Sequence, residues 1–311
     1  MMDTAILSSI LFATIVAGTP LIITALGQLI AEKSGVLNLG AEGMMAMGAI
    51  AGFAITFHTG SVWLGVLAGM IAGMLMSLLF AIVVLTLMGN QVASGLALSI
   101  FGVGLSAFIG KSYESEILGT VAAIRIPLLA DIPVIGGPLF NQQSLVYFSW
   151  VLFAAIVWFL YRSRSGLVLR AVGESPSSAH SIGYPVIRIR YMATLFGGAM
   201  AGIGGSFLSV FVTPLWVEGM VSGRGWIAIA LVVFATWRPF RVLVGAYLFG
   251  GVMVVQLFVQ GSGLDINIPA QFLSSLPYLA TIIVLVIISR DQNTVRLNAP
   301  VSLGQPYRPE G

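Results

Sequence analysis

The sequence predicts an all-α fold: a polytopic membrane helical bundle of about nine spans (eight to ten), N terminus outside and C terminus cytoplasmic. Three observations lead there. The 14 basic and 11 acidic residues make up only 8% of 311, against roughly 25% in soluble globular proteins. Hydrophobic residues reach 58%, and mean hydropathy is +1.01. Uncharged stretches long enough to cross a hydrocarbon core, about 20 residues each, recur along the chain. So little charge cannot cover a water-soluble particle of this size, so lipid is the solvent for most of the chain.

The elements follow in order. Residues 4–31 form the first span. Residues 43–110 carry no formal charge and are too long for one helix. Turn-forming clusters divide them at His58-Thr59-Gly60-Ser61 and at Gly89-Asn90-Gln91, giving spans two to four. Residues 144–161 form span five and residues 191–213 span six. Residues 225–237 are a provisional span seven, only about 20 Å long as a helix. Its glycine-rich approach, Glu218 to Gly225, reads as an unwound or re-entrant lead-in, or equally as an external loop. Residues 242–259 and 272–289 complete the set. The opening Met1-Met2-Asp3 runs straight into a span with no basic n-region, so the chain reads as an uncleaved membrane protein.

Lysine and arginine set the orientation. Arg162, Arg164, Arg170, Arg188 and Arg190 crowd one loop, assigned to the cytoplasm. Alternating outward adds Lys33, Arg238, Arg241, Arg290, Arg296 and Arg308 to that side, leaving Lys111, Arg125 and Arg224 opposite. The bias requires an odd number of spans, and nine satisfies it.

Composition excludes several functions. With no cysteine there is no disulfide framework or thiolate site. Two histidines, His58 and His180, both read as loop residues, make no multi-histidine metal centre and no intramembrane serine–histidine pair. Net charge is only +3 with scattered bases, so nucleic acid is not an expected partner. Gly104 to Ser112 resembles a phosphate-binding loop but holds five residues between its glycines, where the motif has four. The chain is therefore expected to hydrolyse no nucleotide, to act as no enzyme and to hold no metal.

Polar residues inside an apolar protein are the informative ones, because each is costly unless partnered. Glu32 and Lys33, after span one, read as interfacial. Asn38 and Glu42 stand four apart, on one face of any helix, while Gly35, Gly40 and Gly43 suggest a broken helix start. The cluster is either a kink lining a passage or an interfacial turn. Asn90 and Gln91 mark a cytoplasmic turn, and Ser94 and Ser99 follow on span four. Ser94 and Ser99 either face a polar interior or bond their own preceding carbonyls. In the arginine-rich loop, Ser175 suits an N-cap, Pro176 the first helical position and Gly183 the C′ position, with Pro185 blocking continuation. A capped helix of about two turns below a membrane domain has little core of its own. It reads as a docking element for a cytoplasmic partner, with a helix lying on lipid headgroups as the alternative.

Gly65, Gly69 and Gly73, with Gly198 and Gly202, have the four-residue spacing that lets membrane helices approach closely, within one bundle or across a dimer seam. Ala41-Glu42-Gly43-Met44-Met45 echoes Val217-Glu218-Gly219-Met220-Val221. That echo is the arrangement of an inverted repeat with a break near the pathway in each half. Trp226, Phe53 and Trp216 are aromatics able to stack on a flat solute, but with 32 aromatic residues in the chain their presence alone discriminates no substrate.

The run Glu32-Lys33-Ser34-Gly35-Val36-Leu37-Asn38-Leu39-Gly40-Ala41-Glu42-Gly43 resembles the signature of ABC-importer permeases of the ribose and branched-chain amino acid superfamily. Asn90-Gln91-Val92-Ala93-Ser94-Gly95-Leu96-Ala97-Leu98, Ile132-Pro133-Val134-Ile135-Gly136 and Arg170-Ala171-Val172-Gly173-Glu174-Ser175-Pro176 are similar to segments of its nucleoside and simple-sugar branch, whose binding proteins are basic-membrane-protein-type lipoproteins. Serine stands at 175 and 99 where that family commonly has asparagine. An equally good cap leaves docking at Ser175 intact, while Ser99 becomes a poorer substrate contact.

The resemblance implies a permease domain over 1–289, with an external loop (111–143), a cytoplasmic coupling loop (162–190) and a cytoplasmic tail (290–311). It implies a multi-pass protein of the bacterial inner or plasma membrane, surrounded by lipid. A separate cytoplasmic ABC ATPase would bind ATP and Mg, and this chain would hold no cofactor. A second permease subunit would complete the channel, as a heterodimer first and a homodimer otherwise, and an extracytoplasmic solute-binding lipoprotein would deliver a nucleoside or simple sugar. Coupling to the ATPase would fall to Gly166, Arg170, Ala171, Gly173, Glu174, Ser175, Pro176, Ala179 and Gly183. The translocation path would draw on Asn38, Glu42, Asn90, Gln91, Ser94, Ser99, Glu218 and Trp226. The alternative is an ion-coupled secondary transporter acting without an ATPase.

Overall fold

A computed structural model of the chain describes residues 2–261, 275, 279, 282, 283, 286 and 298–308. Helix α1 (Met2–Lys33) leads into a non-helical turn over 34–40 and then α2 (Ala41–Thr59). Gly60, left-handed at φ 69°, ends α2 by donating its N–H to the Thr56 carbonyl. The Ser61 hydroxyl then accepts the Leu64 N–H to open α3 (Val62–Ala81), which runs into a π-helical turn, Ile82–Thr86. Asn90 caps α4 (Gln91–Gly110) through the Ala93 N–H. Both divisions fall where the turn residues predict.

The loop after α4 holds β1 (Ile124–Arg125) paired antiparallel with β2 (Asn141–Gln142), and the short α5 (Gly136–Phe140) between them. This ladder of two residues a side is a small departure from the all-α expectation. An exposed ion pair, Arg125–Asp131, ties the same loop. Then come α6 (Ser144–Arg162), α7 (Arg164–Glu174), α8 (Pro176–Ser181) and α9 (Val186–Phe207), which ends in a second π-helical turn, Leu208–Val212. The described helices close with α10 (Arg224–Phe234) and α11 (Pro239–Gly261).

Six helices among the described residues are long and apolar enough to cross a membrane: α1, α3, α4, α6, α9 and α11, with α3 and α9 extended by their π turns. The chain is thus a polytopic helical membrane protein. Helix α2, with Glu42 and His58 near its ends and many glycines and alanines, is not among the six. Helix α10 has 11 residues. The ninth expected span, 272–289, lies outside the described residues apart from single positions. His58 belongs to the last turn of α2 and His180 to α8, so the two histidines sit on helices and not in loops.

The bundle is organised around α9, whose apolar window is 83% buried, against 22–39% for the other five. Helices α1, α2 and α3 pack directly on it. Glycine makes this approach sterically feasible. A Cβ at Gly69 would lie 2.9 Å from the Gly48 carbonyl, and Cβ atoms at Gly73 and Gly202 would collide with the backbones of Gly198 and Gly69. The spaced glycines of α3 and α9 therefore face each other inside one bundle, across Gly48 and Gly52 of α2.

Candidate translocation and coupling site

The non-helical segment 34–40 is mostly buried, so each of its polar groups needs a partner. Gln91 Oε1 accepts the Leu37 N–H at 2.7 Å, and the Ser99 hydroxyl donates to the Leu39 carbonyl at 2.8 Å. Asn38 Oδ1 accepts the Gly40 N–H at 2.8 Å, closing a turn two residues long, while its amide nitrogen lies 3.7 Å from Met44 Sδ. Asn38 precedes α2, so it shares no helical face with Glu42, contrary to the spacing argument. The broken helix start is present, and α4 fastens it.

Glu42, in the first turn of α2, reaches another helix end. Its Oε1 accepts the Gly223 N–H at 2.6 Å and its Oε2 the Gly225 N–H at 2.8 Å. Those are orphan donors at the start of α10, where a carboxylate is favoured by both hydrogen bonding and the helix dipole. Gly223 takes φ +82°, and a Cβ on Gly225 would fall 2.5 Å from the Glu42 Cα. Two helix starts thus meet head to head on one buried carboxylate. Arg224 turns back to the Met220 carbonyl at 2.6 Å.

Beside this junction lies a cavity of about 100 Å³, lined by Glu42, Ala46, Ser106, Trp216, Met220 and Ser222 among others. Ser106 is already bonded to the Ala46 carbonyl at 2.9 Å, and Trp216 packs with Ile50 and Phe53. Sites for drug-sized ligands span roughly 300–1,000 Å³. In this conformation the space beside Glu42 is too small for such a solute.

The arginine-rich loop folds as two capped helices. Ser163 Oγ accepts the Gly166 N–H at 2.9 Å to open α7, and Ser175 Oγ accepts the Ser178 N–H at 3.3 Å to open α8, with Pro176 in the first turn. Gly183 follows α8 at φ +92°. A Cβ at Gly166 would strike the backbone at Phe159, and one at Gly173 the Lys33 carbonyl, so α7 lies against the ends of α6 and α1. The pair is not without a core, contrary to the sequence argument: Val172, Ala179 and Val186 are buried together, flanked by Val168, Ile189 and Tyr307. Arg170 is half-buried over the Tyr161 ring, Ala171 is half-buried and Glu174 is exposed.

The chain's last described segment, 298–308, knits these parts together. Ser302 donates its N–H (3.0 Å) and its hydroxyl (2.7 Å) to the Gly173 carbonyl of α7. Arg190 of α9, 1% exposed, donates to the Ser34 carbonyl (3.1 Å), Ser302 Oγ (2.9 Å) and the Gln305 carbonyl (3.3 Å). The Gly304 N–H reaches the Gly35 carbonyl, Lys33 Nζ the Asn298 carbonyl, and the Gln91 side chain lies 3.5 Å from the Gln305 carbonyl. Tail, α7, α9 and the 34–40 segment share one hydrogen-bonded node.

The structure therefore brings together Asn38, Glu42, Gln91 and Ser99 as pins of the α1–α2 break. Asn90 is an exposed cap and Ser94 is half-buried nearby. Glu218 and Trp226 are exposed, whereas Trp216, Val217 and Gly219, on either side of Glu218, line the small cavity. Glu42 is buried and Glu218 exposed, although the segments that carry them line the same small cavity. Glu32 is fully buried within the protein and accepts the Trp237 indole N–H at 2.6 Å. Thr24, Gln28 and Glu32 form a buried stripe along one face of α1, legible in the sequence from its four-residue spacing. Arg190 and Ser302 escape a reading of the sequence, since an arginine at a span's start and a serine in a tail both look solvated.

The family model described as branched-chain amino acid transport system / permease component matches residues 10–288. The chain is 41% identical to a putative glucose ABC transporter permease protein of Haloferax volcanii, over 97% of this chain and 98% of that one. It is 35% identical to a guanosine ABC transporter permease protein of Bacillus subtilis, over 97% of each. It is 31% identical to a nucleoside ABC transporter permease protein of Lactococcus lactis, over 87% of this chain and 89% of that one.

Proposed function

Since the chain belongs to the branched-chain amino acid transport system / permease component family and is an ABC transporter permease subunit, we propose that it imports a nucleoside or simple sugar. An extracytoplasmic solute-binding lipoprotein delivers the solute, and a cytoplasmic ABC ATPase with ATP and Mg supplies the work. A second permease, in a heterodimer, completes the passage. The protein spans a bacterial plasma membrane about nine times, N terminus outside, with α7 and α8 in the cytoplasm.

The node at Arg190 carries this reading. An ATPase pressing on α8 and on the exposed Glu174 acts through Gly173 and Ser302 on the segment 34–40. That segment leads into Glu42, and Glu42 holds the start of α10 beside the small cavity. A chain of short hydrogen bonds between two rigid ends transmits displacement where a flexible linker would absorb it. The arrangement supports a passage opened by motion of the α1–α2 break.

Reconstitution into proteoliposomes tests it. Uptake of guanosine or glucose should require ATP, the ATPase, the second permease and the binding protein together. Uptake by this chain alone under a sodium or proton gradient would instead make it a secondary carrier.

A further inference from the structure

Helices α6 and α9 both lean on α1 and on α7, and between them they leave a groove of about 750 Å³. Its walls are apolar: Ile156 and Phe159 from α6, Met192 and Phe196 from α9, with Ile30 of α1 behind. The groove is open along its side and lies between two helices long and apolar enough to cross a membrane, so its apolar walls are accessible to lipid. A hydrocarbon chain is complementary to such walls.

One end of the groove is different. Arg164, at the start of α7, and Arg188, in the first turn of α9, both line it, together with Ser165 and Tyr184. Both arginines are exposed, and among the described residues neither has a carboxylate or any other hydrogen-bonding partner. They sit at the ends of the two apolar helices, Arg164 two residues beyond the end of α6 and Arg188 in the first turn of α9, where a spanning helix meets the headgroup region. A single end bearing two unpaired guanidinium groups, above a hydrocarbon-sized track, is complementary to one class of molecule.

We propose that this groove is a binding site for an anionic phospholipid, with one acyl chain between α6 and α9 and the phosphate held by Arg164 and Arg188. The headgroup bridges α7 to α9, so an anionic lipid braces the coupling helices against the central helix. This inference needs only membrane insertion of the chain and stands apart from the identity of the solute.

The purified permease complex, in nanodiscs mixing phosphatidylglycerol with phosphatidylcholine, is extracted gently, and retained lipid is counted by native mass spectrometry. Each arginine near an anionic surface contributes about fivefold in affinity, so the double variant R164Q/R188Q should lower the preference for phosphatidylglycerol about thirtyfold. Ala155→Phe, placing a ring in the groove, should displace the retained lipid while leaving both arginines in position. Equal retention of both lipids by the unaltered protein, or unchanged phosphatidylglycerol retention in both variants, would overturn the site. If R164Q/R188Q kept its lipid but lost its ATPase, the arginines would belong to that docking surface and the lipid assignment would fall. Failure of ATP-dependent uptake with intact lipid retention would strike the transport reading alone.

Discussion

At the scale of single residues, Glu42 carries more structure than its place in an apolar helix suggests. Its two oxygens satisfy the N–H groups of Gly223 and Gly225, so each carboxylate oxygen accepts one bond from the start of α10. Glu42→Gln retains the length but presents an amide NH2 to one of two donors, leaving a donor facing a donor. Hydrogen bonds to a charged group contribute about 1.5–3 kcal/mol each. The variant should therefore lose about 2 kcal/mol, seen as a lower melting temperature in detergent, and uptake should fall with it. An unchanged melting temperature would mean that α10 starts without its cap. Trp237 is the second such residue. It takes φ +51° beside Thr236 at +48°, a left-handed pair that costs strain in non-glycine residues, and its indole supplies the partner that Glu32 Oε2 requires. Trp237→Phe leaves that buried oxygen unpaired and should cost about 1–3 kcal/mol by the same measurement.

At the scale of elements, the glycine seam and the coupling pair follow different rules. The seam is set by backbone distance: any side chain at Gly202 meets the Gly69 carbonyl, so Gly202→Val should abolish a folded, monodisperse protein on size exclusion. The coupling pair is set by caps and exposure. Gly173 packs on the Lys33 carbonyl, so a bulky residue there disturbs α1 as well as any docking surface. Glu174, exposed, is the cleaner probe. Glu174→Gln, which removes the charge without setting another cation beside Lys33 and Arg170, should change stability by no more than about 1 kcal/mol, as for most exposed charge pairs, while ATP hydrolysis loses its link to uptake. Unchanged uptake per ATP would place the ATPase elsewhere.

These elements also show what the sequence made legible. Gly60, Ser61, Asn90, Ser175, Pro176 and Gly183 act locally, through their own φ or a bond two or three residues away, and each falls where a one-dimensional reading puts it. The partners of Glu42, Ser99 and Glu32 lie 181, 60 and 205 positions distant. No periodicity encodes such pairs. A polar residue in an apolar run announces that it needs a partner, but nothing along the chain says which one. Repetition of residue types says nothing about which backbone N–H groups stand opposite.

For the whole molecule, the question is whether α7 and α8 move as a separate lever or as part of the membrane bundle. Ser302 decides between these. Its hydroxyl takes a hydrogen bond from Arg190 and gives one to the Gly173 carbonyl, so α9 and α7 meet through one oxygen. Ser302→Ala removes that relay but leaves the Ser302 N–H on Gly173 and the other two Arg190 bonds, so the fold should survive with about 1 kcal/mol lost. Arg190→Lys, by contrast, exchanges a planar fork for a single head that cannot reach all three acceptors. If the node acts as a unit, the two changes together should cost less than the sum of each alone. The coupling should be about 0.5–3 kcal/mol in stability and parallel in the uptake obtained per ATP. Additive stability losses with an unaltered ratio of uptake to hydrolysis would make the tail a passive fastening, and motion would have to reach α2 through the helices of the bundle themselves.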